Sequence, residues 1–249
     1  MHFLSNSTMY LMAIFLPSFG AMLLLWPGWR KAVITWMPWT ALPAVLLAVA
    51  GETGGRITLP WLFFNARFGL DATAQVFLGF TALVWLLAAV YAGGYIKHDD
   101  PHRARFFASF LLAMSGNFGL ILAEDVFSFY FLFALMSFAS FGLVAHTGSP
   151  AARRAGQVYI ALVVIGEAFV FSALLLAAQT TGTVHLTEMA AGVAESPARN
   201  QILALAFIGF GVKAGALPLH VWLPLAHPVA PTPASAVLSG CMIKAGLLG

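Results

Sequence analysis

The chain has 249 residues, of which 61% are hydrophobic and only 8% charged, with a formal net charge of +3. A soluble domain is nearer a quarter charged, so this composition, with a mean hydropathy of +0.89, describes a polytopic membrane protein. The basic residues are spread among loops, which argues against a nucleic-acid partner, and the lone Cys241 excludes intrachain disulfides and CxxC metal sites.

Apolar windows predict eight spans, at 8–26, 32–50, 71–95, 106–123, 126–146, 156–178, 201–223 and 234–249. The first follows no Lys or Arg, so it reads as a true helix rather than a cleaved signal peptide. The separators are turn-like or charged: Pro27-Gly28, Gly54-Gly55, the run from Lys97 to Pro101, Gly148-Ser149-Pro150, and residues 228–233. Residues 51–70 have room for a short hairpin or re-entrant turn, and 184–194 for a short interfacial helix. The eighth window ends at Gly249 with no polar tail, which reads as a truncated chain.

Loop charges orient these spans. Arg30, Lys31, Lys97, Arg103, Arg105, Arg153 and Arg154 fall on one side; Arg56, Arg67 and Arg199 fall on the other. Under the positive-inside rule the first side is cytoplasmic and the N-terminus faces out.

Four ionisable residues fall at membrane depth: Glu167, Lys213, His220 and Lys244. At helical rise, Glu167 lies about 16 Å and Lys244 about 15 Å from the inner ends of their spans, and Lys213 about 18 Å from the outer end of its own. Intramembrane charges are costly and are functional candidates by default, and a desolvated lysine is a group able to take up and release a proton. Each also has a structural reading: an ion-pair partner for a lysine, a protonated hydrogen-bonded acid for Glu167, an interfacial histidine for His220. Seven residues separate Lys213 from His220, which returns to nearly the same helix face, with Pro218 between them expected to unwind that helix and Pro224 beyond as a second helix breaker. Glu124 and Asp125, between spans four and five, are expected to face outer water. His98, Asp99, Asp100 and His102 have the composition of a metal cluster but the context of an exposed loop. The 22 phenylalanines are expected to face lipid or fill packing space.

The stretch KAGALPLHVWLPLAHPVAPTPASAVLSGCMIKAG (213–246) resembles the signature of the antiporter-like subunits of respiratory complex I, Mrp antiporters and membrane-bound hydrogenases. Within that group its nearest likeness is to the large membrane subunit of hydrogenase-4 and formate hydrogenlyase. LAEDVFSFYFLFALMSFASFGLVAH (122–146) is similar to the fifth-helix region of the same family. The resemblance implies an all-α polytopic bundle with a broken seventh helix, helices 1–3 in residues 1–105 and the first five-helix repeat in 106–249. It implies that Lys213 is the central lysine of the seventh helix, His220 the histidine that follows it, and Lys244 the lysine of the eighth helix that passes protons onward.

Two positions depart from the family pattern. Relatives carry a glutamate in a WELMS-like context where this chain has Ala134 in FALMS, and an acid where Leu225 stands in WLPLAH. The first change removes the carboxylate held to tune the lysine, and Glu167 is the candidate replacement. The resemblance implies a proton- or cation-translocating subunit, not an enzyme by itself, in the bacterial inner membrane. Its expected partners are the other membrane subunits of a hydrogenase- or complex I-like assembly, with peripheral redox subunits acting indirectly. A component of an Mrp-type antiporter and a structural subunit with a degenerate channel are the alternatives. No cysteine cluster, haem motif or dinucleotide fingerprint occurs, so no cofactor is expected.

Overall fold

Prolines, caps and glycine set the boundaries of the helices. The computed structural model describes residues 6–63 and 65–248; residues 1–5, at the head of the expected N-terminal unit, and Gly249, where the eighth window ends, lie outside the described residues. Helix α1 (Asn6–Leu23) is followed by a continuous helical run from Pro27 to Ala50 that contains α2 (Arg30–Trp36) and α3 (Leu42–Ala50). Tight 3₁₀ turns at Pro27–Trp29 and Met37–Ala41 begin where Pro27 and Pro38 remove amide donors. Residues 51–70 form a hairpin, with β1 (Arg56–Leu59) antiparallel to β2 (Ala66–Gly69) and Arg56 opposite Gly69.

Asp71, Asp125 and Ser149 then cap three long helices by accepting the amides of Ala74, Ser128 and Ala152. The helices from here on are α4 (Ala72–Tyr95), α5 (Arg103–Leu122), α6 (Val126–Val144) and α7 (Pro150–Thr181). At 32 residues, α7 is about 48 Å long, more than a hydrocarbon core of about 30 Å requires. A short helix, α8 (Leu186–Glu195), precedes α9 (Arg199–Ala214), α10 (Trp222–Ala226), α11 (Thr232–Val237) and α12 (Ile243–Leu248). Six helical segments among the described residues are long and apolar enough to cross a membrane, and 7–23 and 232–248 are shorter apolar helices. The chain is a multi-pass membrane protein.

Lipid tails are as apolar as leucine, so the helices are held by close packing and buried polar contacts rather than by apolar burial alone. Ser18 Oγ donates to Ser115 Oγ at 2.6 Å, and Ser115 Oγ to the Ile14 carbonyl, tying α1 to α5. Trp85 Nε1 donates to Asn117 Oδ1 at 2.8 Å, tying α4 to α5. Large apolar side chains such as Val76, Leu87 and Phe207 are exposed in the way a lipid-facing surface requires.

The three-charge end is closed by a small polar assembly. Arg56 Nε meets Glu124 Oε1 at 2.8 Å, and the Glu124 amide donates to the Arg67 carbonyl. Asp125 accepts the Ser128 amide at 2.9 Å and the Arg67 amide at 2.8 Å, and is only 3% exposed. The expectation that Asp125 faces water is therefore corrected: it caps α6 and pins the hairpin, because backbone donors left by a helix start and by β2 need an acceptor here. Asp125→Ala removes both acceptor contacts and is expected to destabilise the fold by about 2 kcal/mol. A thermal unfolding midpoint unchanged in detergent would count against this role.

Candidate functional site

The site is built where α9 stops. Gly215 adopts φ 69°, the left-handed region that favours glycine, and the Ala216 amide returns to the Gly211 carbonyl at 2.9 Å while the Gly215 amide reaches Val212. This six-to-one and five-to-two pairing is the Schellman arrangement, which ends a helix. Trp222 Nε1 donates to the Val212 carbonyl at 2.8 Å and covers the break. Lys213 is thus in the last turn of α9, where the partial negative charge of the helix C-terminus favours a cation.

Lys213 is 4% exposed, and its Nζ donates to Ser137 Oγ at 3.0 Å and, more weakly, to Tyr159 Oη at 3.4 Å. Tyr159 Oη in turn donates to the Ser137 carbonyl at 3.1 Å. The Phe133 and Tyr159 ring centroids each lie 5.8 Å from Nζ. Desolvating an ammonium costs several kcal/mol. A good charge-assisted hydrogen bond returns about 1.5–3 kcal/mol, a cation–π contact about 0.5–2, and a helix C-terminus up to about 2. These are comparable in size, so hydroxyls, rings and helix end can hold the lysine at a place where Ala134 supplies no carboxylate.

Glu167, also 4% exposed, lies on the other wall of the same space. Close helix approach puts it there: a Cβ on Gly209 would meet the Val170 amide nitrogen at 2.7 Å and the Gly166 carbonyl at 2.8 Å, so only glycine permits α7 and α9 to come this near. Lys213 and Glu167 line one small cavity with Phe133, Ser137, Val163 and Trp222. Among the described residues the ion pairs within 4.0 Å are Arg56–Glu124 and His146–Asp100, so Lys213 and Glu167 face each other without direct contact.

The other two intramembrane candidates lie elsewhere. Lys244 Nζ donates to the Gly240 carbonyl at 2.9 Å and stands 4.4 Å over the Phe80 ring on α4; it follows a π-helical segment, Leu238–Met242, and does not line the Lys213 cavity. His220 sits in the 3₁₀ turn Leu219–Val221 beyond the break. Seven-residue spacing therefore does not carry His220 onto the face of Lys213, because the helix that would do so ends at Ala214. Pro218 precedes that turn and Pro224 lies within α10; the break itself is made three residues before Pro218, at Gly215.

At the other end of the bundle a cavity of about 560 Å³ opens among Lys97, Asp99, Asp100, His146, Thr147 and residues 228–231. Asp100 turns to buried His146, with Oδ2 and Nε2 3.0 Å apart, and its Oδ1 accepts the His102 amide. Burial holds the His146 ring below its usual range despite the carboxylate, so at neutral pH this contact is a hydrogen bond to a neutral imidazole rather than a full ion pair.

Ser137, Tyr159 and Trp222 did not stand out from the sequence. A signal existed for Tyr159: with Val163, Gly166 and Glu167 it makes an i, i+4, i+7, i+8 stripe along α7.

The family described as NADH:quinone oxidoreductase/Mrp antiporter, TM, matches residues 123–249. Hydrogenase-4 component B of Escherichia coli (strain K12) is 29% identical over 195 residues, covering 78% of this chain and 29% of that one. A chain of the membrane-bound sulfane sulfur reductase, an archaeal respiratory membrane complex, superposes with TM-score 0.79 at 23% identity over 96% of this chain and 51% of its own. A chain of the Mrp complex from Dietzia sp. DQ12-45-1b does so with TM-score 0.85 at 22% identity, over 98% and 27%. The chain spans 25–37% of the length of the curated relatives it matches.

Proposed function

Because the chain belongs to the NADH:quinone oxidoreductase/Mrp antiporter transmembrane family, we propose that it is an antiporter-like subunit that moves protons for a membrane-bound hydrogenase or respiratory oxidoreductase. The observation that carries this reading is Lys213: an ammonium buried in the bundle, held by two hydroxyls at a helix break, and opposed by a carboxylate. Such a group holds a proton in one state and gives it up in another at modest cost, because its partners are dipoles and rings rather than one locked ion pair. The redox chemistry belongs to partner subunits, with which this chain assembles in a bacterial inner membrane. In this reading eight spans cross the bilayer, 106–249 forms the first repeat, and Lys244 and His220 lie further along the ion path. Removing the subunit from the intact complex should lower the protons moved per electron pair while dye reduction by the peripheral subunits continues; an unchanged ratio refutes the proposal.

The likeness to the Mrp chain favours a second reading, a component of a cation/proton antiporter. Cation-driven proton movement in vesicles without any electron donor distinguishes it.

Orientation follows from the charge bias, with the basic end cytoplasmic and the N-terminus periplasmic. Asp99→Cys and Ala151→Cys, both at exposed positions, should resist an impermeant thiol reagent added to intact cells. Native Cys241 is 1% exposed and gives little background. Labelling of both from outside overturns this topology.

A further inference from the structure

Lys213 Nζ carries three N–H groups and gives two of them to Ser137 and Tyr159, so one is left. Glu167 Oε1 is buried and has no hydrogen-bond partner among the described residues. Both groups line the same cavity, with about 10 Å³ of room for the centre of a water-sized sphere. That is the lower limit for one water, about 10–15 Å³, and a water also needs two to four polar partners. An apolar cavity of this size stays dry. This one has an ammonium donor, a carboxyl acceptor and the Ser137 hydroxyl on its walls. Leaving a buried carboxyl oxygen unsatisfied costs about 1–3 kcal/mol, more than the cost of about 0–2 kcal/mol for fixing one water, so occupation is favoured.

We propose that this cavity binds a single ordered water that joins Lys213 Nζ to Glu167 Oε1, and that the two residues exchange a proton through it. The inference rests on the reading that Lys213 handles the translocated proton. In the step, an N–H bond of the ammonium breaks and its proton joins the water oxygen, while one of the water's own O–H bonds breaks and that proton joins Oε1. The products are a neutral amine, a carboxylic acid and a water, and no further reactant enters. Ser137 and Tyr159 hold the amine in place as its charge changes, so the reverse step finds the same geometry.

A density map of the intact complex in lipid, good enough to resolve ordered waters, tests the site. The expected result is one peak within about 3 Å of both Lys213 Nζ and Glu167 Oε1. A direct Lys213–Glu167 contact, or a gap without density, overturns the proposal. Val163→Leu adds a methylene group to the cavity wall and should displace the water, cutting proton translocation about tenfold or more. Wild-type translocation in this variant, with the peak gone, sinks the exchange role; if the variant fails to assemble, the wild-type map still decides. A dry gap combined with the loss of translocation in Lys213→Ala removes the water alone. Normal translocation in Lys213→Ala removes the functional reading beneath it.

Discussion

Lys213→Ala is expected to reduce redox-coupled proton movement at least about a hundredfold while the complex still assembles. The loss is large because no other side chain in the cavity carries a basic nitrogen, and a relay that lacks its proton-holding group loses the step rather than slowing it. Assembly survives for a separate reason. Alanine suits a helix end, the Schellman turn at Gly215 uses only backbone groups, and Trp222 still caps the Val212 carbonyl. Ser137 and Tyr159 lose a donor but keep acceptor and donor roles of their own through the Tyr159–Ser137 bond. Lys213→Arg is expected to fail as well: guanidinium stays charged and its planar fork does not fit a space shaped for one ammonium. Proton movement measured with a pH-sensitive dye in inverted vesicles, alongside complex content by native electrophoresis, separates the two effects. Normal proton movement in either variant takes Lys213 out of the mechanism.

How much of this was legible in the residues depends on which dimension is asked about. Helical rise put Glu167 and Lys213 at similar depths from a residue count alone, and the two line one cavity. It gave nothing about azimuth. Glu167, Lys213 and Lys244 had similar depths on paper, yet Lys244 faces Phe80 while the other two share a cavity. The pairing of α7 with α9 is decided by Gly166 and Gly209, whose meaning depends on what lies opposite them. Seven-residue spacing put His220 near the face of Lys213, with the break expected at Pro218; the glycine in KAG already offered an earlier stop, and its left-handed C′ position ends the helix before that periodicity can act. Gly148-Ser149-Pro150 read as a separator, but Ser149 is the cap of α7 and Pro150 its first residue, so the helix starts six residues earlier than hydropathy placed it. Asp125 was missed for a similar reason: an acid between apolar spans looks solvated until the backbone donors around it are counted. The hydroxyls of Ser137 and Tyr159 carry no charge, so hydropathy treats them as ordinary members of an apolar helix.

Glu167→Gln is expected to cut proton translocation about tenfold, and adding Ala134→Glu to restore at least part of it. Glu167 is the one acid lining the Lys213 cavity, and amide substitution keeps its size while removing its ability to carry a negative charge or accept a transferred proton. Ala134 lies one turn before Ser137 on α6, and residues three apart share a helix face. A glutamate at 134 therefore enters on the side from which Ser137 already reaches Nζ. Ala134 is half-buried rather than sealed in packing, so the longer side chain has room to turn toward the lysine. A purely structural Glu167 gives a different pattern: glutamine at 167 would be nearly silent, and a second acid at 134 would add nothing. The third pattern, a defective Glu167→Gln that Ala134→Glu makes worse, would mean that the acid must stand on α7, across the cavity from the hydroxyls, for the proton to leave Lys213 in the right direction. Side of approach, not mere charge balance, would then decide whether an acid can serve this lysine.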